Sequence, residues 1–183
     1  ALLAMARRDY AEAVVELSRA LRQAPGDDFA LRTRAQAYAG LNQYDRALRD
    51  IDTLIAANPD DTRPALIRIA LLDEAGRAAE ANAEMEALAE AAPSNPTVLL
   101  NLVALKLRHD DPQAAFDIAD RLLTQDSEPG EIDRAVIHRS ALARRAEAGL
   151  ELGRLDSAKA DIDALRALAP DDAMMLNNLC WLG

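Results

Sequence analysis

Two histidines, a single cysteine and a series of paired aspartates are the residues of this chain whose types suggest chemistry. His109-Asp110-Asp111 has the composition of a metal-ligand triplet. It also has that of a helix end, where the macrodipole favours His, followed by an Asp cap for a helix opened by Pro112. No second ligand cluster accompanies it, so no metal is expected. His138 has no base or nucleophile beside it and reads as a surface or packing residue. Asp27-Asp28, Asp60-Asp61 and Asp171-Asp172 have the composition for acid–base work or calcium binding, but they recur with a fixed period, which assigns them to helix capping. Cys180 falls where Ala35, Ile69 and Ala146 recur, so a small buried role is expected. One cysteine excludes an internal disulfide and a thiolate zinc site. There is no Gly-rich phosphate loop, no Ser/His/Asp arrangement and no two-histidine metal helix. The reading is a non-enzyme with no cofactor.

The arginines are more informative. Arg34, Arg68 and Arg145 are each followed sixteen residues later by a carboxylate: Asp50, Glu84 and Asp161. Leu102 has Ile118 at the same offset. Three charged pairs and one apolar pair at one spacing imply contact between two consecutive helices. The bridge is either structural or a site for an anionic ligand. The structural form is expected, because a charge with an internal partner is better satisfied than a free one. The same offset leaves Glu16 with a partner just before Ala1, expected to be Arg.

The elements that must position these pairs are helical. Half of the 183 residues are apolar and only 3% are aromatic. Ala and Leu dominate, and β-branched and aromatic strand formers are sparse. The balance of 21 basic and 31 acidic residues gives a net charge of −10. Such a surface repels phosphate backbones and argues against a general nucleic-acid binder. No apolar run approaches the length of a membrane span, so no membrane insertion is expected. Only Lys106 and Lys159 are lysines; the Arg and Ala bias is that of a GC-rich genome and points to a bacterial source.

A repeat organises the chain. Pro25, Pro59 and Pro93 are 34 residues apart, each followed by acidic or small polar residues, and Pro170 is followed by Asp171-Asp172. That is a helix stop and then a helix cap. Between the prolines, Leu31, Ala35 and Tyr38 form one helical face, and Ala47, Ile51 and Leu54 form the next. The turns at Asn42-Gln43, Gly76-Arg77, Asp110-Asp111 and Gly153-Arg154 are short enough to force antiparallel neighbours. Pro93 and Pro170 are 77 residues apart, nine more than two periods. The extra residues fall near Asp126–Gly130, and an unbroken apolar stripe from Glu131 predicts one helix of about 20 residues, roughly 30 Å long; a short separate helix there is the alternative. Eleven helices are expected, with starts near Asp9, Asp28, Thr62, Asn95, Pro112 and Asp172.

The period, with Leu-Arg-Ala-Tyr in the first helix and Ala-x-x-x-apolar ending at Pro in the second, resembles the tetratricopeptide repeat. Arg34, Arg68 and Arg145 depart from it by replacing an apolar residue, and Lys106 and Gly149 by replacing an aromatic. The resemblance implies an all-α, right-handed superhelical solenoid of antiparallel helix pairs. Its units are 1–27 (partial), 28–61, 62–95, 96–129, 130–172 (extended) and 173–183 (truncated). It also implies a protein or peptide partner held in a groove lined by the first helices. The groove positions are Arg32, Thr33, Gln36, Leu66, Ile67, Ala70, Leu100, Asn101, Ala104, Arg144 and Glu147, with Ala143, Asn177, Asn178 and Trp181 at equivalent offsets. Leu66, Ile67 and Leu100 make an apolar centre suited to a peptide or helix. Arg32, Gln36 and Asn101 faintly echo the subfamily that grips C-terminal carboxylates, but Ile67 and Thr97 break that pattern. Both end units read as partial. Two other functions therefore remain open: a docking arm of a larger enzyme, or self-association through the last unit, where Leu176, Leu179 and Trp181 would be exposed.

Overall fold

Each second helix begins after a tight turn whose first residue lies in the left-handed backbone region: Arg8, Asn42, Gly76, Asp110 and Gly153, with φ between 58° and 74°. The following amide donates back to the preceding helix, from Asp9 to the Ala4 carbonyl, Gln43 to Tyr38, Arg77 to Leu72, Asp111 to Lys106 and Arg154 to Gly149. This closes the preceding helix with a Schellman-type turn. The structure is a computed structural model that describes residues 1–124 and 131–168. Among the described residues the regular elements are ten α-helices. They are α1 (Leu2–Ala6), α2 (Tyr10–Gln23), α3 (Asp28–Gly40), α4 (Tyr44–Ala57), α5 (Thr62–Glu74), α6 (Ala78–Ala91), α7 (Pro96–Arg108), α8 (Pro112–Thr124), α9 (Glu131–Glu151) and α10 (Leu155–Leu168). The chain divides into two compact units, Ala1–Leu88 and Ala89–Gly183.

Among the described residues the paired aspartates supply helix caps. Asp9 accepts from Glu12 N, Asp27 from Ala30 N, Asp61 from Arg63 N and Asp111 from Ala114 N. Asn95 does the same for Thr97 N and Val98 N. The Asp61 carboxyl is lowered to about 2, chiefly by the Arg63 guanidinium and then by the Arg63 amide. A depressed carboxylate stabilises above its unfolded value and loses its effect only as pH falls through the folded one, so this cap persists to strongly acidic pH.

In the first unit the core follows the period. Ala13, Ala47 and Ala81 are fully buried, and Leu17, Ile51 and Met85 lie one turn on beneath them. Ala35 and Ile69 supply the facing positions on α3 and α5. Gly40 ends α3 against the ring of Tyr10, where a Cβ would stand 2.6 Å from ring carbons, so glycine is required by the close approach. In the second unit Leu99, Val103, Ala115, Ala119 and Ala141 form one core cluster, and Leu142, Ala146, Ile162 and Leu165 form another. The helix expected from Glu131 is α9, 21 residues long. His109 is the C-cap residue of α7, as its sequence context implies, and His138 is exposed on α9. The eleventh helix near Asp172, Cys180 and the inserted stretch Asp126–Gly130 lie outside the described residues.

Two glycines give opposite expectations. Gly76 has φ +74° and open space around it, so Gly76→Ala meets only backbone strain and should cost about 1 kcal/mol. Gly149 is helical, and a Cβ there would touch Ala158 at 3.5 Å and Phe116 at 3.6 Å. Gly149→Ala should add about 0.5–1 kcal/mol. Urea unfolding of the two variants checks the signs; a stabilised Gly76→Ala would contradict the turn assignment.

Candidate functional site

The arginines at the fixed offset are occupied internally. Arg34 forks onto Asp50, Nη2 to Oδ1 at 2.7 Å and Nε to Oδ2 at 2.8 Å. Arg145 forks onto Asp161 at 2.6 and 2.9 Å. Arg68 pairs with Glu84 through Nη1. Leu102, which replaces the arginine in one repeat, is buried, and Ile118 packs against the α7–α9 core. Each guanidinium also reaches backward to the second helix of the preceding repeat. Arg34 donates to Ser18 Oγ at 3.1 Å and Arg68 to Asp52 Oδ1 at 2.8 Å, both sixteen residues back. Arg145 reaches Asp120, twenty-five residues back, which is the same offset lengthened by the nine-residue insertion. One side chain thus ties three helices. The guanidiniums are held above their ordinary value, Arg34 first by its hydrogen bond to Asp50, Arg68 by Glu84 and Arg145 by Asp161.

Burial sets what each bridge contributes. Asp161 is 2% exposed, so Arg145→Ala strands a buried carboxylate and should cost about 3 kcal/mol. The acceptors of Arg68 are 52% and 37% exposed, and Arg68→Ala should cost about 1 kcal/mol or less. Denaturant melts of the two variants and of Arg145→Ala/Asp161→Ala decide the matter. Equal losses for Arg145→Ala and Arg68→Ala would contradict this ranking.

Two clefts gather most of the groove positions expected from the sequence, one in each unit. In the first unit a cleft of about 460 Å³ is lined by Arg32, Thr33 and Gln36 of α3 and by Ile67 and Ala70 of α5. Phe29, 56% exposed, stands at its edge, and Glu74 also lines it. The Thr33 hydroxyl donates to the Phe29 carbonyl at 2.7 Å, so it is committed to the main chain. Arg32 is bridged to Asp28 at 2.7 Å but stays 40% exposed. Gln36 is exposed. In the second unit a cleft of about 380 Å³ is lined by Leu100, Asn101 and Ala104 of α7 and by Ser140, Ala143 and Arg144 of α9. Asn101 and Ser140 donate back to their own helices, to Thr97 O and Val136 O. Arg144 is bridged to Glu147 at 2.9 Å.

Leu66 and Glu147 are half-buried and lie outside both linings. Asn177, Asn178 and Trp181 lie outside the described residues. Sequence reasoning missed Phe29, Glu74 and Ser140. Phe29 sits three and four residues before Arg32 and Thr33, one turn away on the same face, so helical spacing carried a signal for it. Among the described residues no group of acidic, His or Cys side chains has the makings of a metal site. No helix there is long and apolar enough to cross a membrane.

Antiparallel helix pairs repeating at 34 residues, closed by the same turn and tied by the same arginine, define a helical-repeat protein. The sequence model of the tetratricopeptide repeat matches residues 4–68. Solved structures with the same fold cover nearly the whole chain. A tetratricopeptide repeat protein of Parabacteroides merdae has a TM-score of 0.68 at 18% identity, over 98% of this chain and 67% of that one. A thermophilic tetratricopeptide protein of Thermus thermophilus has a TM-score of 0.66 at 20% identity, over 99% of this chain and 93% of that one. YrrB, a tetratricopeptide protein described as having an unusual peptide-binding site, has a TM-score of 0.60 at 12% identity, over 96% and 86%. No curated protein sequence matches.

Proposed function

We propose that this protein binds an apolar peptide or helical segment of a partner protein on the first helices of its repeats, with Ile67 and Ala70 at the centre of one docking cleft and Leu100 and Ala104 at the centre of another. The observation that carries the reading is a contrast within single helices. Ile69, Leu72, Leu99 and Val103 are buried, whereas Leu66, Ile67, Ala70, Leu100 and Ala104 keep exposed surface. A helix packs only part of its circumference against one layer, and the remaining apolar face loses water when a ligand arrives, at about 25 cal/mol per Å². The polar side chains of the clefts are mostly bonded within their own helices. Shape and apolar contact therefore supply the affinity, and Arg32 and Arg144 orient an acidic group of the partner at the rims. A peptide-binding site in YrrB, on the same fold, is consistent with this use.

The test is affinity purification with the full-length protein, followed by titration of the recovered partner against wild type and Ile67→Glu. The variant should bind roughly tenfold more weakly or worse, with helicity and melting temperature unchanged. Unfolding of the variant would place Ile67 in the core and end the reading. Undiminished binding by a folded variant would move the partner away from this cleft.

A further inference from the structure

A third cleft, in the first unit and separate from the apolar one, is lined by Asn42, Gln43, Tyr44, Arg46, Arg49 and Arg77 and encloses about 440 Å³. Its character is the reverse of the others, because guanidinium, amide and phenol groups make the wall. Asp45 also lines it. Arg77 is compensated, by Glu80 at 2.6 Å and by Asp45 at 3.6 Å. Among the described residues no carboxylate bridges Arg46 or Arg49. Arg46 donates to the Gln43 side-chain oxygen at 3.0 Å, and its guanidinium lies 5.8 Å from the centre of the Tyr38 ring. Arg49 donates to the Asp45 main-chain carbonyl at 3.1 Å. These neutral oxygens and the ring hold the two guanidiniums in place without cancelling their charge.

We propose that this cleft binds a phosphate monoester. Arg46, Arg49 and Arg77 against Asp45 and Glu80 leave the cleft one positive charge in excess, and the guanidiniums of Arg46 and Arg49 are the ones left to meet the oxygens of a phosphate monoester, which carries about −1.5 to −2. The guanidinium fork fits phosphate oxygens two at a time. The Tyr44 hydroxyl, on the same wall, donates to Asn42 Oδ1 at 3.4 Å, a long bond that it can exchange for one to a third oxygen. The volume exceeds a phosphate group, so the residue or molecule that carries it also enters. A nucleic-acid backbone is disfavoured, because the whole chain carries −10 and repels a polyanion while a single compact dianion meets only the local field. The same chemistry comes from a phosphorylated side chain of a partner protein or from a free phosphorylated small molecule.

The experiment is calorimetric titration of the full-length protein at low ionic strength with inorganic phosphate, with the peptide Gly-Gly-phosphoserine-Gly-Gly and with its unphosphorylated form. The variants are R46Q/R49Q, the single variant R49Q, and Ile67→Glu as a control in the apolar cleft. Melting curves establish that each is folded, and R49Q carries the test if the double variant is not. The phosphopeptide should bind about tenfold or more tightly than the unphosphorylated peptide, and removing one guanidinium should weaken it about tenfold. Ile67→Glu should change neither value, which keeps this result independent of the docking proposal. Binding of inorganic phosphate with no response to the phosphopeptide, lost in R49Q, supports the cleft and assigns it a free small molecule. No binding by either, or binding that R49Q leaves intact, overturns it.

Discussion

The close approach of helices at five alanines is the constraint on which the rest of this protein depends. Ala13, Ala47, Ala81, Ala115 and Ala158 occupy one position of the second helix in successive repeats, and each is completely buried. An amphipathic helix pair has more apolar surface than its two members can hide from water, so the pair must pack on its neighbours. A methyl group at that position lets backbones approach, and the larger residues one turn later, Leu17, Ile51, Met85 and Ile162, fill the space so made. Ala119 takes that place in α8, where Leu122 and Leu99 complete the cluster.

Close packing of this kind is apolar and tolerant of sliding, whereas the arginines are not. A fork onto Asp50 or Asp161 fixes both the rotation of the first helix and the height of the second, because two parallel hydrogen bonds are lost together if either shifts. The backward contacts to Ser18, Asp52 and Asp120 extend the same register to the preceding repeat. The nine-residue insertion before α9 leaves this arrangement intact. Arg145 meets Asp120 and Asp161 as Arg68 meets Asp52 and Glu84.

Much of this was legible in the sequence, for identifiable reasons. Helix starts at Asp28, Thr62 and Pro112 were readable because capping is local: an Asp or Asn bonds an amide two or three residues on, and no distant contact is needed. The forward pairing of Arg34 with Asp50 was readable because a short turn fixes the distance between two antiparallel helices. The backward pairing was not. Its partners are Ser, Asp and Asp at offsets of 16, 16 and 25, so neither residue type nor spacing repeats cleanly, although Asp52 and Asp120 each sit on the correct side. The apolar clefts were half legible. Helical spacing selected Ile67, Ala70, Leu100 and Ala104, but it could not tell that Leu66 lies outside the cleft lining or that the Thr33 hydroxyl is held by the Phe29 carbonyl. The arginine-lined cleft was not legible, because Arg46 and Arg77 are brought together only by two different helix hairpins.

Stability and the proposed docking surface therefore use different residues of the same helices. On α3, Leu31 and Ala37 are buried and Arg34 is bridged, while Arg32 and Gln36 remain on the cleft side. On α5, Ile69 and Leu72 are buried and Arg68 is bridged, while Ile67 and Ala70 face the cleft. Residues that share a helix but face different surroundings make nearly independent contributions to free energy. The cleft residues contribute little to folding, so their identity can change without loss of the repeat. Conversely, substituting the bridged arginines disturbs the helix register without touching a ligand directly. A scaffold in which one face sets the geometry and another is free to vary can acquire a new partner by single substitutions. The apolar and arginine-lined clefts of the first unit, built by neighbouring segments of α3, α4 and α5, show how two different surface chemistries coexist on one such frame.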